Sequence, residues 1–182
     1  MYRQIFLIVA LTLFVPQTGR TNERPSGFAA IGSYSDMRFT EEHQYGSEVQ
    51  LWKEGTDLFG LFSYAEGLMG DTPIGLLEDV KYDPASGTIA FRSRLTTGQH
   101  FCKVHNNVPS RDVFFFQGTL TNSSLTGVLK RSDALHPENP AREEKVSLKK
   151  MAGEAWDQPS YDSRAGWEAA VKQILTLRGP KW

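Results

Sequence analysis

From Phe28 onward, apolar and polar residues alternate with a period of two, interrupted at short intervals by glycine, proline, asparagine and aspartate. This is the pattern of half-buried strands joined by turns, because successive side chains of a strand face opposite sides of the sheet. The first predicted strand runs from Phe28 to Ser35. The second, Ser47 to Lys53, alternates Val49 and Leu51 with Glu48, Gln50 and Trp52. Glu54-Gly55 predicts a tight turn into Asp57 to Glu66, so these two strands form a hairpin. A fourth strand, Ile74 to Tyr82, ends in the turn sequence Asp83-Pro84-Ala85-Ser86-Gly87. In the fifth, Thr88 to Leu95, Ile89, Phe91 and Leu95 share one face and Arg92 and Arg94 the other. Thr96 to Ser110 reads as a longer irregular stretch. Asp112 to Thr121 and Leu125 to Arg131 then form a hairpin around Asn122-Ser123-Ser124, and Lys145 to Met151 is the last strand, with Val146 and Leu148 inward.

Eight strands joined mostly by short turns predict an all-β, mainly antiparallel domain over residues 28–151. Unpaired strand edges invite aggregation, and closing eight strands into an up-and-down barrel removes them. A β-sandwich is the alternative. The period then changes: Trp167, Ala170, Val171, Ile174 and Leu177 recur at helical spacing between Tyr161 and Arg178. Ser160 or Asp162 can cap this helix and Gly179-Pro180 stops it, so an amphipathic C-terminal helix over 160–179 is expected to pack on the barrel. Phe114-Phe115-Phe116 must face both sides of its strand, and the helix with Trp167 is the expected outer cover.

The chain begins with a different composition. Arg3 precedes an apolar run from Ile5 to Val15, interrupted only by Thr12 and broken by Pro16-Gln17-Thr18-Gly19. A spanning helix needs about 20 apolar residues, so the run reads as a secretory signal peptide over 1–19, followed by a linker over 20–27. The expected location is therefore secreted or periplasmic, with no stable membrane span. Cys102 is the only cysteine, which excludes an intramolecular disulfide, and no lipid-attachment cysteine follows the run. A formal net charge of −1 leaves no overall field to draw the protein to nucleic acid, and no nucleic-acid partner is expected.

Gly32-Ser33-Tyr34 on the first strand, Asp57-Leu58-Phe59-Gly60 and Leu125-Thr126-Gly127 together resemble the calycin group, the lipocalin and avidin barrels. Tyr34 stands where lipocalins carry the tryptophan of their Gly-x-Trp motif. The resemblance spans residues 28–151 and implies a barrel with one open end that holds a small apolar ligand.

Candidate binding residues are Glu78, Arg131, Tyr34 and Phe91. If Ile74, Leu76, Val80 and Tyr82 face inward, strand period puts Glu78 inside with them. A buried carboxylate needs a partner, and Arg131, on the face of Leu125 and Leu129, is the candidate. A bulge that shifts the parity, or a place at the wet rim, would instead leave Glu78 in solvent. His100, Cys102 and His105 carry metal-ligating and nucleophile–base chemistry, but no fourth ligand or orienting acid lies near, and an ordinary loop is the expectation. No Gly-x-Ser-x-Gly or phosphate-cradling loop is present, so no catalytic set, metal or cofactor is expected. Lys81, Arg92 and Arg94 read as a solvated outer stripe. Two functions follow: an exported binding module holding a small apolar ligand, with Thr96–Ser110 as a flap, or a protein-interaction or inhibitor barrel with a filled interior and an extracytoplasmic protein as partner. A cavity of several hundred cubic ångströms favours the first.

Overall fold

The alternating segments form twelve strands in the computed structural model, which describes residues 27–68, 70, 72–100, 107–152 and 160–182. The predicted signal peptide and most of the linker lie outside the described residues, as do Cys102 and His105. The strands are β1 (Phe28–Ser35), β2 (Arg38–Phe39), β3 (His43–Glu54), β4 (Asp57–Leu68), β5 (Ile74–Leu76) and β6 (Glu78–Asp83), then β7 (Thr88–Leu95), β8 (Gln99–His100), β9 (Val108–Pro109), β10 (Asp112–Leu120), β11 (Ser124–Asp133) and β12 (Arg142–Lys150). One helix, α1, spans Arg164–Arg178.

The main sheet has the order β5-β4-β3-β1-β12-β11-β10-β7-β6, with β2 attached to β3, and its neighbours pair antiparallel. First and last long strands, β1 and β12, lie side by side, and the remaining neighbours follow chain order. This is an up-and-down meander, nearly closed into a barrel. The near-closure comes from one segment changing partner. Residues Ile74–Leu76 pair with β4, the Leu77 N–H donates to the Gly60 carbonyl at 3.0 Å, and Glu78–Asp83 then pairs with β7 on the other side. The register shifts between Glu78 and Lys81, and Asp79 takes a positive φ of 52°. The fourth predicted strand is therefore two, and nine strands rather than eight make the path.

Parity along that segment changes with the break. Leu77 is buried in the interior and Leu76 is exposed, so the expected inward row of Ile74, Leu76, Glu78, Val80 and Tyr82 does not form, although Val80 and Tyr82 still pack on the core. The Thr96–Ser110 stretch is also more regular than expected: Gln99 pairs with Pro109 and His100 with Val108 in a small separate hairpin.

Inward side chains fill the barrel. Tyr64 packs on Phe114 (ring centroids 4.9 Å apart), Phe114 on Phe62 (5.1 Å) and Phe62 on Phe91 (6.1 Å) with tilted rings, and Phe91 stacks on Phe116 (5.1 Å). Phe116 reaches across a facing glycine pair, Gly118 and Gly127, where a Cβ on either residue would come within 2.8 Å of its ring. Phe115 points outward and is 44% exposed, so the aromatic triplet is not covered by the helix. Helix α1 lies instead over the outer face of β3 and β4. There Trp167 packs on Trp52 (5.4 Å) and Phe59 (4.8 Å), with Val171 and Leu61 in the same cluster. Each such fully buried large apolar side chain contributes about 1.5–3 kcal/mol.

Ser163 is the N-cap, its Oγ accepting from the Gly166 N–H at 3.2 Å, one residue beyond the predicted capping sites. Leu177, expected on the buried stripe, is 77% exposed; ten residues beyond Trp167 it has rotated off the covered face. No helix among the described residues is long and apolar enough to cross a membrane.

Candidate functional site

Where the aromatic column meets one end of the barrel it is capped by a guanidinium. Arg131 lies on β11 directly opposite Phe114 of β10, and its Cζ sits 5.6 Å from the ring centroids of both Tyr64 and Phe114. Strand alternation explains who joins it. On β10 the inward face reads Asp112, Phe114, Phe116, and on β4 it reads Phe62, Tyr64, Glu66. At this end an acid thus enters the inward row of each strand, where the apolar interior gives way to solvent.

The resulting network is dense. Arg131 Nε donates to Asp112 Oδ1 at 2.9 Å, Nη1 to Glu66 Oε2 at 2.7 Å and Nη2 to Thr97 Oγ1 at 2.8 Å. Asp112 Oδ2 accepts from Ser110 Oγ at 2.5 Å and from Thr97 Oγ1 at 2.8 Å. Ser110 Oγ in turn accepts from the backbone N–H groups of Thr97 (2.9 Å) and Gly98 (3.2 Å), which ties both ends of the β8–β9 hairpin to the barrel rim. The Asp112 side chain is only 6% exposed. Burial pushes its carboxyl up, but the hydrogen bond from Ser110 and the charge of Arg131 outweigh it and hold the group below the ordinary carboxylate range. Arg131 is likewise held in its charged form: burial works against the charge, and Asp112 and Glu66 overcome it.

Glu144 follows the inward parity of Val146 and Leu148 on β12, opposite Leu129. Its carboxyl is pushed up by burial and by the negative charges of Asp36 and Glu66, with Arg131 acting in the opposite sense. Tyr64 is likewise raised, by burial first and then by Glu66 and Glu144. Above these groups opens a polar cavity of about 650 Å³, whose lining includes Glu66, Thr97, Asp112, Arg131, Asn139 and Arg142.

The four candidate residues from the sequence occupy separate places. Arg131 is at the centre of this mouth. Tyr34 is buried near the opposite end, its hydroxyl donating to the Thr121 carbonyl at 3.3 Å. Phe91 lies mid-column between Phe62 and Phe116. Glu78 is on the outer wall, where Arg92 reaches it at 2.9 Å and Arg94 at 2.6 Å. The pairing of Glu78 with Arg131 therefore does not occur, because the bulge after Glu78 turns its side chain away from the interior. Sequence reading missed Asp112, Glu66, Thr97 and Ser110. A signal was present for two of them, since Asp112 and Glu66 each end the apolar row of a predicted strand. Thr97 and Ser110 carried no such signal, lying outside any periodic segment. Among the described residues no group of three or more His, Cys, Asp or Glu side chains is placed to hold a metal ion; the side chain of His100 and the whole of Cys102 and His105 fall outside the description. No protein-family model, curated protein or solved structure matches the chain.

Proposed function

We propose that this protein is an exported binding module whose ligand is a small polar molecule held in the mouth of the barrel. The observation that carries this reading is the 650 Å³ cavity floored by the prepaired Arg131–Asp112–Glu66–Thr97 network. Its size falls in the range of small-molecule sites, and its floor is rigid because each of the three guanidinium nitrogens is already bonded. The expected apolar ligand in the lumen has less to support it, since the aromatic column occupies that space. Charge selects the ligand class. Arg131 is flanked by two carboxylates, Glu144 and Asp36 lie close by, and these acids together outnumber Arg131 and Arg142, the two cations of the lining. Neutral or cationic hydrogen-bonding molecules fit best. The calycin likeness belongs to this proposal as well, supported by the meander order of the sheet; export is supported by the apolar run Ile5–Val15.

Native mass spectrometry of the protein purified from its own host tests the reading. A retained small molecule of constant mass, lost in Asn139→Trp where the exposed lining residue is enlarged to fill the mouth, is the expected result. Repeated preparations without an adduct, or an adduct indifferent to Asn139→Trp, would overturn it. A second reading, the interaction barrel, has one observation in its favour. Phe115 is exposed on the outer wall in register between Arg92 and Lys130, with Val128 beside it. Capture of a protein in place of a small molecule, abolished by Phe115→Glu, would favour that alternative.

A further inference from the structure

Helix α1 does not seal the wall it covers. Between it and the sheet runs a groove of about 570 Å³, lined by Phe59, Trp167, Val171 and Leu175 and bounded by Gly60 and Leu77, where the β5–β6 segment parts from β4. Trp167 is 4% exposed, and its indole N–H is buried without an acceptor, so apolar packing holds this side chain to the wall without a hydrogen bond. Leu76, at the groove's edge, is left 40% exposed.

The charges along the groove are unevenly spent. At the helix N-terminus Arg164 lies 4.5 Å over the Phe59 ring and is bonded to Glu168 at 3.0 Å, with Asp57 at 3.6 Å and Glu54 at 4.0 Å, so three acids surround one cation. Two turns further on, Lys172 lines the rim, is exposed, and forms no ion pair among the described residues. From Arg164 to Thr176 the lined length is about 18 Å at 1.5 Å per residue. An apolar trough of that length with an unspent ammonium on its rim is complementary to an aliphatic chain that bears an anionic head. The acids around Arg164 disfavour the head at that end and leave Lys172 as its place.

We propose that this groove is a second ligand site, outside the barrel, that binds a long-chain carboxylate with its tail on Trp167 and Val171 and its head at Lys172. It is independent of the mouth cavity, with which it shares no lining residue.

Isothermal titration of the full chain with sodium laurate below its micelle concentration tests the proposal, with dodecyltrimethylammonium as the cationic comparison. Laurate should bind saturably at one site and at least about tenfold more tightly than the ammonium. Lys172→Glu should reverse that preference. Thr176→Trp, which enlarges an exposed rim residue into the groove, should abolish laurate binding while the far-UV circular dichroism stays unchanged; Asn139→Trp at the mouth should leave it intact. The proposal fails if laurate shows no saturable heat, if Thr176→Trp binds it as well as the parent, or if Lys172→Glu leaves the head-group preference alone. It fails equally if sedimentation shows a dimer that Thr176→Trp dissociates, for a second copy would then be the occupant.

Discussion

Arg131 Nε and Asp112 Oδ1 meet at 2.9 Å diagonally across β10 and β11, with Asp112 two register pairs beyond the Phe114–Arg131 pair, at the point where the aromatic column ends. Burial works against both charges; each favours the other, with Ser110 and Thr97 adding to the support of Asp112 and Glu66 to that of Arg131. Replacing Arg131 by Met leaves Asp112 with hydroxyl partners and no cation. The expected loss is about 3 kcal/mol in urea unfolding, in the range for breaking a largely buried pair. Asp112→Asn placed on the same background should recover part of that loss, and a double-mutant cycle that shows strict additivity would remove the coupling.

The same pair sets an acid limit. Asp112 has a folded-state pKa below its ordinary value of 3.8, so it binds a proton more readily when unfolded. Its contribution is present above that value and is lost as pH falls below it through the folded pKa. Glu144 has the opposite sign. Its folded pKa is raised above 4.5, so it opposes folding at neutral pH and ceases to do so as pH falls through the raised value toward 4.5. Glu144→Gln should therefore stabilise at pH 7 by less than about 1 kcal/mol, given its exposure. The gain should vanish once the parent is assayed below pH 4.5, while Asp112→Asn should flatten the stability loss below pH 3.8. Urea midpoints measured across pH 2.5–7 would check both.

Neighbouring aromatics should behave as opposites. Phe114 is fully buried in the column and Phe115 projects from the outer wall. Phe114→Ala is expected to cost about 3–5 kcal/mol through lost burial and a cavity, whereas Phe115→Ala should stay within about 0.5 kcal/mol. Comparable costs at the two positions would mean that the register of β10 is shifted by one.

Gly127 offers a test of how tightly the floor of the column is packed. A Cβ there would collide with the Gln117 carbonyl and come within 2.7 Å of Gly118 Cα and 2.8 Å of Phe116 Cζ. Gly127→Ala should cost about 1–3 kcal/mol by overpacking. Partial rescue by Phe116→Leu, which shortens the colliding ring, would show that the side chain carries part of the clash.

Local patterning identified most of the elements. The hairpins around Gly55, Asp83–Gly87 and Asn122–Ser124, the clean alternation of Ile89, Phe91 and Leu95, and the helical run from Trp167 all form, although β3 begins four residues before the expected Ser47 and α1 four residues after the expected position 160. The exceptions share a cause. At Glu78 a single positive φ at the next residue reversed the inward row, which no count of alternating residues can register. Leu177 kept helical spacing but lay past the edge of the surface that α1 covers.

What the sequence determined by itself was the all-β meander with one trailing helix, because period, turn residues and caps act over a few neighbouring positions. Only the tertiary structure decided which wall the helix covers, that the fourth strand splits to bring the barrel near closure, and that Arg131 pairs with Asp112 and Glu66 instead of Glu78. These are contacts between residues 19 and 65 positions apart. Their partners are chosen by strand register and barrel closure, which depend on the whole sheet and on no single segment of it.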